Sequence, residues 1–359
     1  MRGDGIGSEV IEQALKVLDA VGRLYDVGCE LTEFPHGANH YLSTGELIGA
    51  EDLARLAEHD ALLFGAVGDP MVPPRTLERG LLFAITQRFG MEVSVRPYRL
   101  YAERLSPLRS RGADPIDCVI VREAAEDVFA LPGSSLRRGS PAEVSLGTVV
   151  FTRPTVERVI RHGFELARHR ARLDRRANRP SRVTVVDQSN AAVVYELWSR
   201  VLAEVAPDYA EVESEHEAPD AFAMRLIKEP ERYDVVVTSW MLGGIFSDMA
   251  AMLVGGLGLS GSARLSPTGL SLFEPTHGSA PKYAGQGVAS PLGAIEALRL
   301  LLEHNGHPEA GGCIDRAVEQ VLASGAVPHV GAGCGVSTQR QGDLVVDALR
   351  HCGQGVPSR

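Results

Sequence analysis

Residues 182–194 read RVTVVDQSNAAVV, and this stretch decides what kind of fold the chain can form. Positions 183–186 carry four β-branched residues in a row, with no alternation of apolar and polar. Such a run suits a strand buried on both faces, the pattern of a parallel sheet covered by helices. It stops at Asp187, and a polar pair, Gln188 and Ser189, then leads into a helical pattern. The carboxyl end of a strand is where α/β enzymes usually display catalytic side chains, yet neither Gln nor Ser carries a proton readily near neutral pH.

The same grammar repeats outward from there. ALLFGAV (61–67) is closed by Gly68, Asp69 and Pro70, DCVIV (117–121) ends at Arg122 and Glu123, and YDVVVTS (233–239) precedes another helical pattern. Residues 9–24 place Val10, Ile11, Ala14, Leu15, Leu18 and Val21 on one helical face. Strands alternating with amphipathic helices predict an α/β fold of parallel or mixed sheets flanked by helices. At 359 residues the chain is long enough for two domains. Residues 132–143, rich in Pro, Gly, Ser and charge, are read as a loop or protruding arm.

Composition narrows the classes of function. A net charge of −10 argues against nucleic acid as the main partner. No apolar run approaches the roughly 20 residues of a membrane span, and MRGDGIGSEV lacks the apolar core of a secretory signal, so a cytoplasmic protein is expected. Five scattered cysteines without a CxxC pair read as free thiols. The basic run at 167–182 is either a phosphate-binding patch or the solvated end of a helix. Only three lysines occur, Lys16, Lys228 and Lys282, so each stands out.

Several local features could carry chemistry. GDGIG (3–7) opens a helix, where glycines either let a phosphate approach backbone amides or simply form a tight turn. Arg96 and Arg122 end apparent strands and present forks that match carboxylates. Asp220 and Asp248 offer oxygen ligands to Mg2+ or Mn2+, with helix capping as the alternative role. FEPTHGSAPKYAGQGVASP (273–291) holds His277, Lys282 and Tyr283 in a loop far longer than a turn needs.

Taken in order, these segments resemble the β-decarboxylating dehydrogenases, the isocitrate and isopropylmalate dehydrogenase family. They are most similar to its isopropylmalate and tartrate/D-malate dehydrogenase-like members. The resemblance runs through GDGIGSEV (3–10), LLFGAVGDP (62–70), VRP (95–97), RLSPLR (104–109), VIVRE (119–123) and RPTVERV (153–159). It continues through VDQSN (186–190), DAFAMRL (220–226), ERYDVVVTS (231–239), GIFSDMAAML (244–253) and FEPTHGSAPKYAGQG (273–287). It implies a two-domain fold distinct from the GxGxxG Rossmann type, with residues 1–100 and 256–359 in a large cofactor-binding domain. Residues 101–255 would form a smaller dimerisation and substrate domain. It also implies a homodimer with shared sites, a 2-hydroxy acid substrate, NADP or NAD, and Mg2+ or Mn2+. The family's strand ahead of GDGIG is not in the sequence, so either the start is misassigned or the sheet lacks an edge.

Position by position, the resemblance keeps some groups and removes others. Arg96 and Arg122 stand at substrate-carboxylate positions, and Asp220 and Asp248 at metal positions. Asn190, Glu274, His277, Gly278, Ser279, Ala280, Lys282, Tyr283 and Ser290 stand at cofactor positions. Lys282-Tyr283 follows the pattern of NADP-dependent isocitrate dehydrogenases, where a cation and a phenol suit a 2′-phosphate, so NADP is favoured. The family lysine, however, is Gln188, the family tyrosine is Phe151, and the third metal aspartate is Gly244. The first family arginine is absent from residues 82–86, with Arg88 about one turn away. Phe keeps the ring and Gln the length, and each discards the titratable group. The sequence therefore leaves two expectations. One is an NAD(P)-dependent oxidoreductase with altered or impaired decarboxylating chemistry. The other is a non-catalytic nucleotide-binding or regulatory subunit, paired with an active paralogue, in effect a pseudoenzyme.

Overall fold

A computed structural model describes residues 1–108, 116–173 and 179–352. The chain divides into two compact units. The first comprises Met1–Met91, Arg99–Arg111 and Ala251–Arg359, and the second Glu92–Tyr98 and Gly112–Ala250.

In the first unit, residues 9–24 form the helix their period predicts, α1 (Gly7–Tyr25). Short helices α2 (Ala38–Thr44) and α3 (Ala50–Leu56) lead to strand β1 (Ala61–Leu63). The apolar run to Val67 reads as a longer strand, but β1 ends at Leu63; the Phe64 amide still bonds Phe273 O, and the Gly65 amide turns to Met1 O. A π-helical turn (Glu78–Phe83) runs into α4 (Ala84–Arg88). Later in the chain come β9 (Gly261–Leu265), β10 (Ser271–Pro275), α9 (Leu292–His304), α10 (Pro308–Ala323) and α11 (Thr338–Cys352). β1 pairs parallel with β10, which pairs antiparallel with β9. On one face α1, α9, α10 and α11 bury Val10, Ile11, Leu298, Ile314 and Val345 in one cluster; Phe34, Leu56, Phe64 and Ile85 belong to a second.

In the second unit the strands are β2 (Val93–Arg99), β3 (Asp117–Glu123), β6 (Arg182–Val186), β7 (Glu213–Glu217) and β8 (Val235–Thr238). Their order is β2-β3-β8-β6-β7, and the β3–β8, β8–β6 and β6–β7 pairs are parallel. β6 spans the opening RVTVV run and is buried from Val183 to Val186. β3 extends two residues past the apolar run, so Arg122 and Glu123 are strand residues. Residues 132–143 prove to be an arm: β4 (Ser134–Leu136) and β5 (Val144–Leu146) form an exposed antiparallel hairpin. Helices α5 (Arg153–Arg170), α6 (Glu196–Val205), α7 (Pro219–Lys228) and α8 (Trp240–Leu253) complete the connections. At Gly163 on α5 a Cβ would come within 2.4 Å of Val237, so glycine sets how closely this helix approaches β8.

The basic run is not uniformly solvated. Arg170 is buried and binds Asp234 and Asp117, while residues 174–178 of the run lie outside the described residues. Cys29, Cys118, Cys313 and Cys334 are free thiols. Among the described residues no helix is long and apolar enough to cross a membrane.

Candidate active site

In the second unit the site begins on two strands, with Arg96 in the middle of β2 rather than at its end and Arg122 next to the end of β3. Arg96 on β2 and Arg122 on β3 are both buried, and Arg96 donates from Nη1 to Ser247 Oγ on α8 at 2.8 Å. Between them lies Tyr98, 1% exposed, a residue the sequence reading did not single out. Burial drives its phenol up to about 12, against the pull of Arg96, Ser247 and Arg122, with Asp248 adding to the rise. The structure thus brings Arg96, Arg122, Tyr98, Ser247 and Asp248 together. No local pattern links Tyr98 to Ser247, which is 149 positions away by their numbers (247 − 98).

Glu123, next to Arg122, is fully buried. It accepts hydrogen bonds from the amides of Ala125 and Glu126, yet burial pushes its carboxyl from 4.5 up to about 7. The folded state therefore holds a proton there that the unfolded chain releases. The resulting stability is fully present below about 4.5 and is lost as pH rises through about 7. Glu123→Gln is expected to gain stability over the parent as pH is raised from 5 to 8, reaching about 3 kcal/mol. Urea melts of both proteins at each pH check this; a parent–variant difference that stays constant with pH refutes it.

The opening stretch forms a rigid turn. Asp187 is fully buried, and its Oδ1 accepts the Ser189 amide at 2.7 Å. Its Oδ2 lies 3.0 Å from Nε2 of His216, and the Ser189 hydroxyl lies 3.3 Å from the same nitrogen. His216, on the edge strand β7, is the titratable neighbour that sequence reading missed, because only strand pairing brings it to Asp187. Gln188 projects from this turn and donates from Nε2 to Asn190 Oδ1 at 3.0 Å. Phe151 packs at 5.0 Å from Tyr195 and 5.6 Å from Trp198, centroid to centroid.

The two metal candidates are exposed. Asp220 sits in the first turn of α7 and accepts the amide of Ala221, while Asp248 lies on α8. A Cβ at Gly244 would meet nothing nearer than Arg122 Nη1 at 3.6 Å, so the space for a third side chain is open. Among the described residues no three His, Cys, Asp or Glu are grouped so as to hold a metal ion. Asp220 and Asp248 each offer a carboxylate, and Gly244 offers no ligand.

In the first unit the long loop is held from beneath by the N-terminal segment. The Ile6 amide donates to Ser279 O, and a Cβ on Gly5 would lie 2.0 Å from that oxygen. Gly5 also has φ +57, and Gly3, at φ +77, abuts Ala66 O in the same way. Of the two readings of GDGIG, the tight turn is the observed one, because protein backbone occupies the space a phosphate would need. Asp4 ties Ala38 and Gly68 through their amides, and Glu9 accepts from Gly285 and Gly287. Glu274 lies in β10, paired with Arg264, and the Ser290 hydroxyl donates to Gly258 O, so both support the loop.

The exposed loop residues differ in kind. Gly278 has open space where a Cβ would stand, and Ala280 adopts φ +40. His277 Nδ1 lies 3.0 Å from Gly278 O, which can only accept, so Nδ1 carries the proton. Burial lowers this imidazole's pKa and keeps the ring neutral, leaving Nε2 a buried acceptor without a partner. Lys282 Nζ lies 4.6 Å from the centre of the Tyr283 ring, on the exposed side. These residues fit a purine dinucleotide: an acceptor for an amino group, open backbone at Gly278, and a cation beside a phenol. Arg88, near the missing arginine, is exposed and stacks on its neighbour Phe89.

Comparison with known proteins agrees with this geometry. The family model for isocitrate/isopropylmalate dehydrogenase matches residues 1–345. A 3-isopropylmalate dehydrogenase of Thermobifida fusca is 42% identical over 324 residues, covering 89% of each chain. One of Corynebacterium glutamicum is 42% identical over 352 residues, covering 97% of this chain and 98% of its own. Among solved structures, isocitrate dehydrogenase from Methylococcus capsulatus superposes with a TM-score of 0.84 at 29% identity, covering 97% of this chain and 98% of that one. With matches of this length in both sequence and fold, the chain belongs to the isocitrate/isopropylmalate dehydrogenase family.

Proposed function

We propose that this protein binds a 2-hydroxy dicarboxylic acid and a nicotinamide dinucleotide, with NADP preferred, and that its oxidative decarboxylation is impaired. The observation that carries the reading is the turn after β6. Gln188 occupies the lysine position, and its amide is spent on Asn190, where it can neither take nor return a proton. Phe151 beside its aromatic neighbours and Gly244 beside Asp248 support the same conclusion from separate elements. Binding chemistry is retained: buried Arg96 and Arg122 offer donors to two carboxylates, and His277, Lys282 and Tyr283 receive the nucleotide.

A second reading, a regulatory subunit, rests on the surface of the second unit. Met224, Ile227, Met241 and Ile245 on α7 and α8 are exposed apolar side chains, a face suited to another copy of the chain or to an active paralogue. Sedimentation of the purified chain distinguishes a self-paired dimer from a subunit that needs another chain.

Cofactor preference is directly measurable. NADPH is expected to bind at least about tenfold more tightly than NADH, through a charge-assisted contact of its 2′-phosphate with Lys282. Lys282→Glu should remove that preference without unfolding the protein, since the lysine is exposed. Equal calorimetric affinities of the parent protein for both nucleotides would contradict the assignment.

A further inference from the structure

One buried polar group in the second unit is left without a partner beside the two arginines. Tyr98 follows Arg96 on β2 with one residue between them, so both side chains leave the strand on the same face. The neighbouring strand, β3, carries Arg122. The three are closed off alike, at 8% exposure for Arg96, 4% for Arg122 and 1% for Tyr98. A ligand that reaches both guanidinium groups therefore reaches the phenol as well.

The surroundings of that phenol come from α8. Arg96 donates to Ser247 Oγ, and Ser247 gives its own proton to Gly244 O at 2.9 Å. The serine hydroxyl is thus committed on both sides, and the Tyr98 hydroxyl has no hydrogen-bond partner among the described residues. A buried hydroxyl that gives up water and gains nothing destabilises the protein that holds it. Phenylalanine would fill the same space without that cost. At Gly244 a Cβ would find its nearest neighbour, Arg122 Nη1, 3.6 Å away, so there is open space beside the arginine's tip. Asp248, further along the same helix, holds an exposed carboxylate whose charge acts on the phenol.

This set is complementary to one chemical pattern. Two guanidinium forks call for two carboxylates. A substituent carried between those carboxylates meets a neutral donor, the phenol, and an acceptor, Asp248. A hydroxyl satisfies both, since it accepts one hydrogen bond and donates another. We propose that Tyr98 recognises the 2-hydroxyl of the bound acid, donating to its oxygen while that hydroxyl donates to Asp248. The assignment rests on the reading that this protein binds a 2-hydroxy dicarboxylic acid. It gives Tyr98 a selective role: an acid with hydrogen in place of the hydroxyl leaves the phenol unpaired and binds weakly.

D-malate and succinate differ only in that hydroxyl, and calorimetric titration of each into the parent protein and into Tyr98→Phe decides the matter. The parent should bind D-malate at least about tenfold more tightly than succinate, and the variant should bind the two within about twofold of each other. Without ligand, Tyr98→Phe should melt no lower than the parent, because it removes an unpaired hydroxyl and keeps the ring. A parent without preference overturns the proposal, and so does a variant that keeps the parent's preference or loses affinity for both acids equally. A lower ligand-free Tm of the variant also overturns it, since the phenol then serves the fold. A parent that binds neither acid fails the dicarboxylate reading itself, and the role of Tyr98 falls with it.

Discussion

Purified alone, with Mg2+ or Mn2+ and NADP, the protein is expected to show no measurable turnover of isopropylmalate, isocitrate, D-malate or tartrate. The triple variant Phe151→Tyr, Gln188→Lys, Gly244→Asp is expected to raise kcat at least about a hundredfold on one of them. Removing one acid–base group typically costs about 10²–10⁴-fold, and groups that act as a unit lose most of the rate with the first loss. Each single reversion should therefore recover little, and the gain should come when all three are combined. The structure admits all three changes. The nearest atom to a Cβ at position 244 is Arg122 Nη1 at 3.6 Å, and an aspartate there shares a helix face with Asp248, four residues on. Gln188 is only partly buried, on a turn that Asp187 and His216 hold, so a lysine can extend from it. At Phe151 the ring is already placed between Tyr195 and Trp198, and only a hydroxyl is added. Robust turnover by the parent protein would refute impaired chemistry. An inactive triple variant that still binds NADPH would locate the remaining defect at the arginine missing from residues 82–86.

The largest expected effect on stability lies at Arg170. Its guanidinium is 4% exposed and donates from Nε to Asp234 Oδ1 at 2.8 Å, and from Nη2 to Asp117 Oδ1 and the Asp117 carbonyl, both at 3.0 Å. Asp234 also accepts the Arg182 amide, so this group joins α5 to the starts of β3, β6 and β8. Arg170→Met removes the cation and leaves two carboxylates buried, at a cost of about 3–5 kcal/mol. In a chain of 359 residues that lowers Tm by roughly 4–7 °C. Adding Asp117→Asn and Asp234→Asn should restore a good part of the loss, because the penalty comes from uncompensated charge rather than from lost packing. Calorimetric scans of the single and triple variants test this, and a loss under about 1 kcal/mol for Arg170→Met would show the carboxylates to be hydrated.

What could be read in the chain itself was whatever depends on neighbours in sequence. The β-branched run at 183–186, the helical period of residues 9–24 and the Pro/Gly/Ser arm at 132–143 each fix a local conformation, and each appears where expected. The replaced groups at Phe151, Gln188 and Gly244 were also visible, since residue identity alone says which of them can carry a proton or bind a cation. Tertiary structure decided everything that needs a partner far along the chain. It turned part of a basic run into a buried ion cluster at Arg170, and GDGIG from a possible phosphate cradle into a support for Ser279. It placed Tyr98 among two arginines and Ser247, and gave Asp187 its histidine. The physical reason is common to all of these. Periodicity reports which face of an element is buried, but the desolvation and hydrogen bonding of a polar group depend on which other element covers it, and that is set only when distant segments pack.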